Sequence, residues 1–157
     1  MLVKTKYFGE IELSDEKIIE FPQGIMGFEQ YKRYTILYDV EDSDFSISWL
    51  QSVEEESLAL PVVNPLMVKP DYNPTVEDEV LKPLGDINEE NLVLLLSLTG
   101  DKDVKKTTVN LKAPFVINAD TRIGCQIITE NPDYPIKYNI YETIEQLKKS
   151  KRGETQC

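Results

Sequence analysis

The sequence predicts a mainly all-β fold: an antiparallel, small β-barrel-like domain with a short middle helix and a C-terminal helix. Three observations lead there. Apolar and polar residues alternate with period two in short runs along most of the chain. Nine prolines and seven glycines punctuate those runs and supply the corners that a closed sheet needs. A longer helical period occurs near the end of the chain. At 157 residues and 41% hydrophobic, the chain fits one domain able to bury about 70% of its unfolded surface.

The elements follow in order. Val3, Thr5 and Tyr7 alternate with Lys4 and Lys6, Gly9 breaks the run, and residues 10–13 resume it. With Ser14-Asp15 as turn chemistry before residues 17–21, the first 21 residues read as a small antiparallel meander. Residues 34–38 and 45–53 read as a hairpin across the acidic turn Glu41-Asp42-Ser43-Asp44, with Phe45, Ile47 and Trp49 on one face. Residues 58–63 and 92–98 are continuous apolar runs, as expected of strands buried on both faces. Between them, residues 75–84 predict a short helix stopped by Pro83 and Gly85. Residues 107–112, 114–118 and 122–129 complete the β series, with Pro114 at an edge or bulge because it cannot donate to a ladder.

Near the end, Asn139 and Glu142 have the spacing of a capping box, and Ile140, Ile144 and Leu147 make a narrow apolar stripe. Lys148, Lys149, Lys151 and Arg152 crowd the helix C-terminus, where the backbone dipole favours cations. The domain is therefore residues 1–148, with 149–157 a flexible basic tail.

Composition narrows the chemistry. The chain has no histidine, so the commonest general base and nitrogen ligand for metals are missing from it. Gly24 and Gly27 lack the third glycine and the lysine of a phosphate loop and read as turn glycines. Cys125 and Cys157 fit a reducing compartment, the first as a small core residue and the second as a thiol on the tail. No catalytic residue, metal ligand or cofactor is assigned. The longest apolar run, residues 92–96, is too short to cross a bilayer, and residues 1–20 carry no apolar signal stretch, so the cytoplasm is expected.

Charge points the same way. The net charge is −11, and residues 39–103 hold sixteen acids against three lysines, a local −13. Such a field attracts basic partners and repels nucleic acid, so a protein acting by holding other proteins is expected. The alternative from another class is a small β-barrel enzyme or carbohydrate-binding protein using clustered carboxylates such as Glu54-Glu55-Glu56 or Glu77-Asp78-Glu79.

Three segments carry a specific resemblance. Residues 21–29, FPQGIMGFE, resemble the FPxGIxGFE signature of the flagellar assembly factor FliW family. Asn64-Pro65 with Pro70-Asp71-Tyr72 is similar to that family's NPxxxxPDY element. Residues 110–118 with Gly124-Cys125-Gln126 are similar to its NLxAPxxIN...GxQ segment. The resemblance implies a β-rich cytoplasmic regulator that binds the translational repressor CsrA, relieving its repression of flagellin messenger RNA. It also implies binding of flagellin before export, a chaperone-like act, so that flagellin withdraws the protein from CsrA. No direct nucleic-acid or membrane contact is implied.

Within the signatures, Phe21, Phe28, Ile117 and Ile127 read as core, and Asn64 and Asn118 as partners of turn backbone; display of Phe28 or Tyr72 to a partner is the alternative. The partner-binding candidates are Phe28, Glu29, Asp42, Asp44, Glu54, Glu55, Glu56, Asp71, Tyr72, Glu77, Asp78 and Glu79. The acids would meet a basic partner, while Phe28 and Tyr72 would be displayed on exposed loops as aromatic anchors.

Overall fold

A computed structural model describes residues 1–38, 47–100 and 102–146. Eleven strands and three short α-helices are assigned among them. They are β1 (Leu2–Lys4), β2 (Glu10–Glu12), β3 (Ile19–Glu20), β4 (Arg33–Tyr38), β5 (Ser48–Ser52) and β6 (Ala59–Val63). Then come α1 (Pro65–Val68), α2 (Asp78–Leu81), β7 (Leu92–Thr99), β8 (Thr108–Val109), β9 (Phe115–Asn118), β10 (Ile123–Gln126) and β11 (Tyr138–Asn139). The last helix, α3, covers residues 141–146.

Seven strands close on themselves in the order β7-β6-β5-β4-β3-β10-β9, with β9 returning to β7. All neighbours in this ring are antiparallel except β3 and β10, which meet in parallel at Glu20 and Ile123. The predicted barrel is thus the fold. β7 makes closure possible because its two halves use different neighbours: Leu92 to Leu95 pair with β9, while Leu98 and Thr99 pair with β8. β8 and then β11 extend the sheet outside the ring.

The barrel interior is filled by large side chains that exclude water. Phe21, Tyr34, Leu50, Val62, Phe115 and Ile117 are all at most 2% exposed. The Phe21 ring meets Tyr34 and Phe115 edge-on, with centroids at 5.4 and 6.2 Å. Gly124 is required there, because a Cβ would stand 2.8 Å from the Phe21 ring. A second apolar cluster lies outside the wall, where Val63, Leu96, Val109, Leu111 and Ile140 pack with Tyr72 and Tyr134. Both-face burial therefore holds at the strand centres, where Val62 and Leu95 face one cluster and Val63 and Leu96 the other. It fails toward the start of β7, where Leu92 is 38% exposed, because the outer cluster does not reach that far.

Several expectations change. The first 21 residues are not one meander: β1 and β2 form a separate two-stranded hairpin, while β3 joins the barrel between β4 and β10. Burial of Ile19 and Phe21 on either side of Glu20 explains the switch. The middle helix is shorter than residues 75–84, and Pro83 does not stop it but sits inside the 3-10 turn Lys82–Leu84 that continues it. Proline fits there because its missing N–H is one that a helix start leaves unpaired.

Helix α1 has no counterpart in the sequence pattern, although its signals are present: Asn64 caps it by accepting from the Leu66 N–H, and Pro65 takes the first position. The β4–β5 hairpin is formed, but its turn, Phe45 and the candidates Asp42 and Asp44 lie outside the described residues. So do Leu147 and the basic tail. Asn139 caps α3 by accepting from the Tyr141 N–H at 2.9 Å, and Ile140 is fully buried beneath it.

Candidate protein-binding site

The signature segments converge in space, and one side chain ties two of them together. Gln126 accepts from the Met26 N–H at 2.9 Å through Oε1 and donates to the Ala113 carbonyl at 3.2 Å through Nε2. The 21–29 turn is thereby fastened to the 110–114 loop. Asn110 shapes that loop by accepting from the Lys112 and Ala113 N–H groups, both at 3.0 Å. Asn118, fully buried, donates to the Leu84 and Asp86 carbonyls and accepts from the Asp120 and Thr121 N–H groups. The sequence pattern does not single out Gln126 as a fastener; its signal is a polar residue closing an apolar strand two positions after Gly124.

Tyr72 is not an exposed anchor. It is 7% exposed, stacks on Tyr134 at 4.9 Å, and donates its hydroxyl to the Leu111 carbonyl at 2.7 Å. Burial pushes its hydroxyl pKa up. A tyrosine directly after the turn residues Pro70-Asp71 suggests display, but the chain folds it back against the outer cluster. Its neighbour Asp71 is exposed and pairs with Lys69 at 3.0 Å, and the hydrogen bond from that ammonium holds the carboxyl below its ordinary range.

Phe28 is half-buried against the barrel core, not displayed on the surface of its turn. Glu29 beside it is exposed; backbone N–H groups, its own foremost and then that of Gly27 at 3.2 Å, keep its carboxyl below the usual value. On the facing β5–β6 turn, Glu54 accepts from the Lys32 and Arg33 N–H groups at 2.7 and 2.9 Å. Those bonds, the Lys32 one foremost, lower its pKa and join its turn to the start of β4. Glu55 accepts from the Ser57 hydroxyl at 2.7 Å. Beneath them Gln51, fully buried, donates to the Ser52, Glu56 and Leu58 carbonyls and fixes the turn.

Phe28 and Glu55 line one hollow of about 410 Å³, and Glu55 and Glu56 line a second one that shares Lys6 with it. Glu77, Asp78 and Glu79 form a separate group at the N-terminal end of α2, exposed where the helix dipole favours acids. The structure therefore brings Phe28 and Glu54–Glu56 together at one end of the barrel, with Asp71 and residues 77–79 mounted on other elements. Among the described residues no group of three or more His, Cys, Asp or Glu is placed to hold a metal ion, and no helix is long and apolar enough to cross a membrane.

The fold and these surfaces define a class: a small closed β-barrel whose polar side chains brace turns and whose carboxylates stand on them. The FliW protein family model matches residues 2–140, and the chain belongs to that family. It is 54% identical over 155 residues to the flagellar assembly factor FliW of Lachnoclostridium phytofermentans, covering 98% of this chain and 99% of the relative. The FliW of Lachnospira eligens is 48% identical over 147 residues, covering 92% and 97%. A solved structure described as the crystal structure of the flagellar assembly factor FliW superposes with a TM-score of 0.81 at 34% identity, covering 89% of this chain and 96% of that one.

Proposed function

We propose that this chain is a cytoplasmic, non-catalytic partner-switching regulator of flagellar assembly, which binds CsrA and so relieves its repression of flagellin messenger RNA. It binds flagellin before export, and accumulating flagellin withdraws it from CsrA. The observation that carries this reading is the family match across residues 2–140, which spans the whole barrel and its extension. The grouping of Phe28 with Glu54, Glu55 and Glu56 at one barrel end supports a role in holding a basic protein.

Switching requires a coupling free energy between the two binding events, supplied by overlap of surfaces or by a conformational link. Mixing the chain with purified CsrA on a sizing column gives a complex, and titrating flagellin into it releases CsrA. A stable ternary complex with unchanged affinities overturns the switch. Failure to bind either protein overturns the reading as a whole.

A further inference from the structure

The turn joining β1 to β2 displays aromatic side chains where polar ones are usual. Tyr7 is 52% exposed and Phe8 36% exposed. The turn that carries them is rigidly built: the buried Thr5 hydroxyl donates to the Gly9 carbonyl at 2.6 Å and accepts from the Phe8 N–H at 2.9 Å. It is also anchored to the barrel, since the Lys6 N–H donates to Gln51 Oε1 at 3.0 Å. Tyr7 lies against Trp49 of β5, with ring centroids 4.3 Å apart. Exposed aromatics on a preorganised backbone lose little conformational freedom when covered, which is why they dominate protein interfaces.

Beside this turn lies the hollow of about 410 Å³ already described, with a floor of Phe28, Tyr31, Leu58 and Leu60. Lys6 and Glu55 stand at its rim, and Glu56 extends the rim into the adjoining hollow. Glu56 makes no hydrogen bond or ion pair with its side chain among the described residues, so it is open to an incoming cation. Across the two hollows the rim holds two glutamates against one lysine, a net negative charge that disfavours nucleic-acid phosphate. It equally repels a second copy of a chain whose net charge is −11. Charge complementarity selects a basic protein with an apolar side chain to set into the floor.

We propose that the hollow between residues 5–9 and residues 28–31 is the seat for an apolar side chain of a basic protein partner, with Phe8 packing on that partner and Glu55 and Glu56 pairing with its lysine or arginine. This rests on the reading that the chain holds CsrA, which serves as the probe. Lys6 opposes such a partner, so the same hollow carries residues whose removal shifts affinity in opposite directions. A role of these residues in folding alone moves stability and not affinity.

The test titrates CsrA calorimetrically at low salt into the unaltered chain and four variants whose thermal midpoints are measured alongside. Glu56→Lys and Phe8→Ala weaken binding about tenfold, while Lys6→Gln tightens it by up to about threefold. Leu66→Ala, at an exposed position on α1, serves as the control and leaves affinity unchanged. If the unaltered chain binds CsrA and the folded Glu56 and Phe8 variants bind it equally well, the seat is wrong and the reading stands. If those variants lose flagellin and keep CsrA, the choice of a basic partner is overturned. If the unaltered chain does not bind CsrA, the underlying reading fails and the seat for that partner fails with it.

Discussion

Substituting alanine for Gly24 and, separately, for Gly27 tests how the 21–29 turn is held. Both glycines have left-handed backbone, with φ of 72° and 90°. A Cβ in that region costs about 1–2 kcal/mol from local crowding alone. The two sites differ in their surroundings. At Gly27 an added Cβ meets nothing within 4 Å, so only the local cost applies. At Gly24 it would stand 2.6 Å from the Glu29 Cα and 2.7 Å from the Glu29 carbonyl oxygen, both backbone atoms. Ordinary carbon contacts lie at about 3.5–4.0 Å, so the turn must open by roughly 1 Å. Overpacking of this kind adds about 1–3 kcal/mol. Gly24→Ala therefore destabilises by about 2–5 kcal/mol and Gly27→Ala by about 1–2 kcal/mol. In a chain of this length each kcal/mol lowers the thermal midpoint by about 2–4 °C. Scanning calorimetry separates the two variants. Equal midpoints for Gly24→Ala and Gly27→Ala would refute the crossing of the turn over itself as the reason for glycine at position 24.

Three further outcomes follow from the same geometry. Tyr72→Phe strands the Leu111 carbonyl and costs about 1–3 kcal/mol in denaturant unfolding, while affinity for any partner stays unchanged; loss of affinity without loss of stability would restore Tyr72 as an interface residue. Ile140→Ala empties a fully buried site under α3 and costs about 2–5 kcal/mol, and a smaller effect than for the half-buried Ile144→Ala would mean that α3 is seated differently. Glu54 has a folded pKa below its unfolded one, so its ionised form contributes stability above the ordinary glutamate range, lost as pH falls through the lowered value. Glu54→Gln keeps an acceptor for the Lys32 and Arg33 N–H groups but cannot titrate; its stability falls less steeply on the acid side, and an identical acid limb would sink that role.

The barrel was legible in the sequence because strand patterning and turn residues agree with each other over most of the chain. What stayed hidden was whatever depends on distant partners. Ile19 and Phe21 gave a strand, but nothing local told that Glu20 would pair with Arg33 and Ile123 and not with β2. Display of Tyr72 is misread for the same reason: a turn-rich neighbourhood suggests exposure, while burial is decided by segments such as 109–111 and 134 folding over it. Phe28 is legible as core from its apolar signature and packs half-buried against the barrel. Helix α1 was missed because four residues cannot show a helical period, leaving only the Asn64-Pro65 cap as a signal. The carboxylate grouping was half legible. Runs of glutamate showed where charge concentrates, but not that Glu54 turns toward backbone N–H groups while Glu56 stays open.

The residues that identify the family and the residues proposed to meet a partner are largely different sets. Gly24, Gly124, Asn110, Asn118 and Gln126 brace turns or admit close approach, and Tyr72 is folded into the outer cluster. Their chemistry is consumed within the chain. Glu56, Phe8 and Tyr7 stand outside the signatures and keep their surface exposed. A signature of this kind specifies the frame that fixes where side chains point, and substitution within it disturbs binding through geometry. Partner loss in a signature variant such as Gln126→Leu therefore comes with a lowered unfolding midpoint, since Met26 and Ala113 lose their fastener. Partner loss in Glu56→Lys comes without one, since that carboxylate holds nothing in the described chain. Measuring midpoint and affinity on the same samples separates frame from contact, and a Gln126→Leu chain with a normal midpoint but no affinity would place that glutamine in the interface itself.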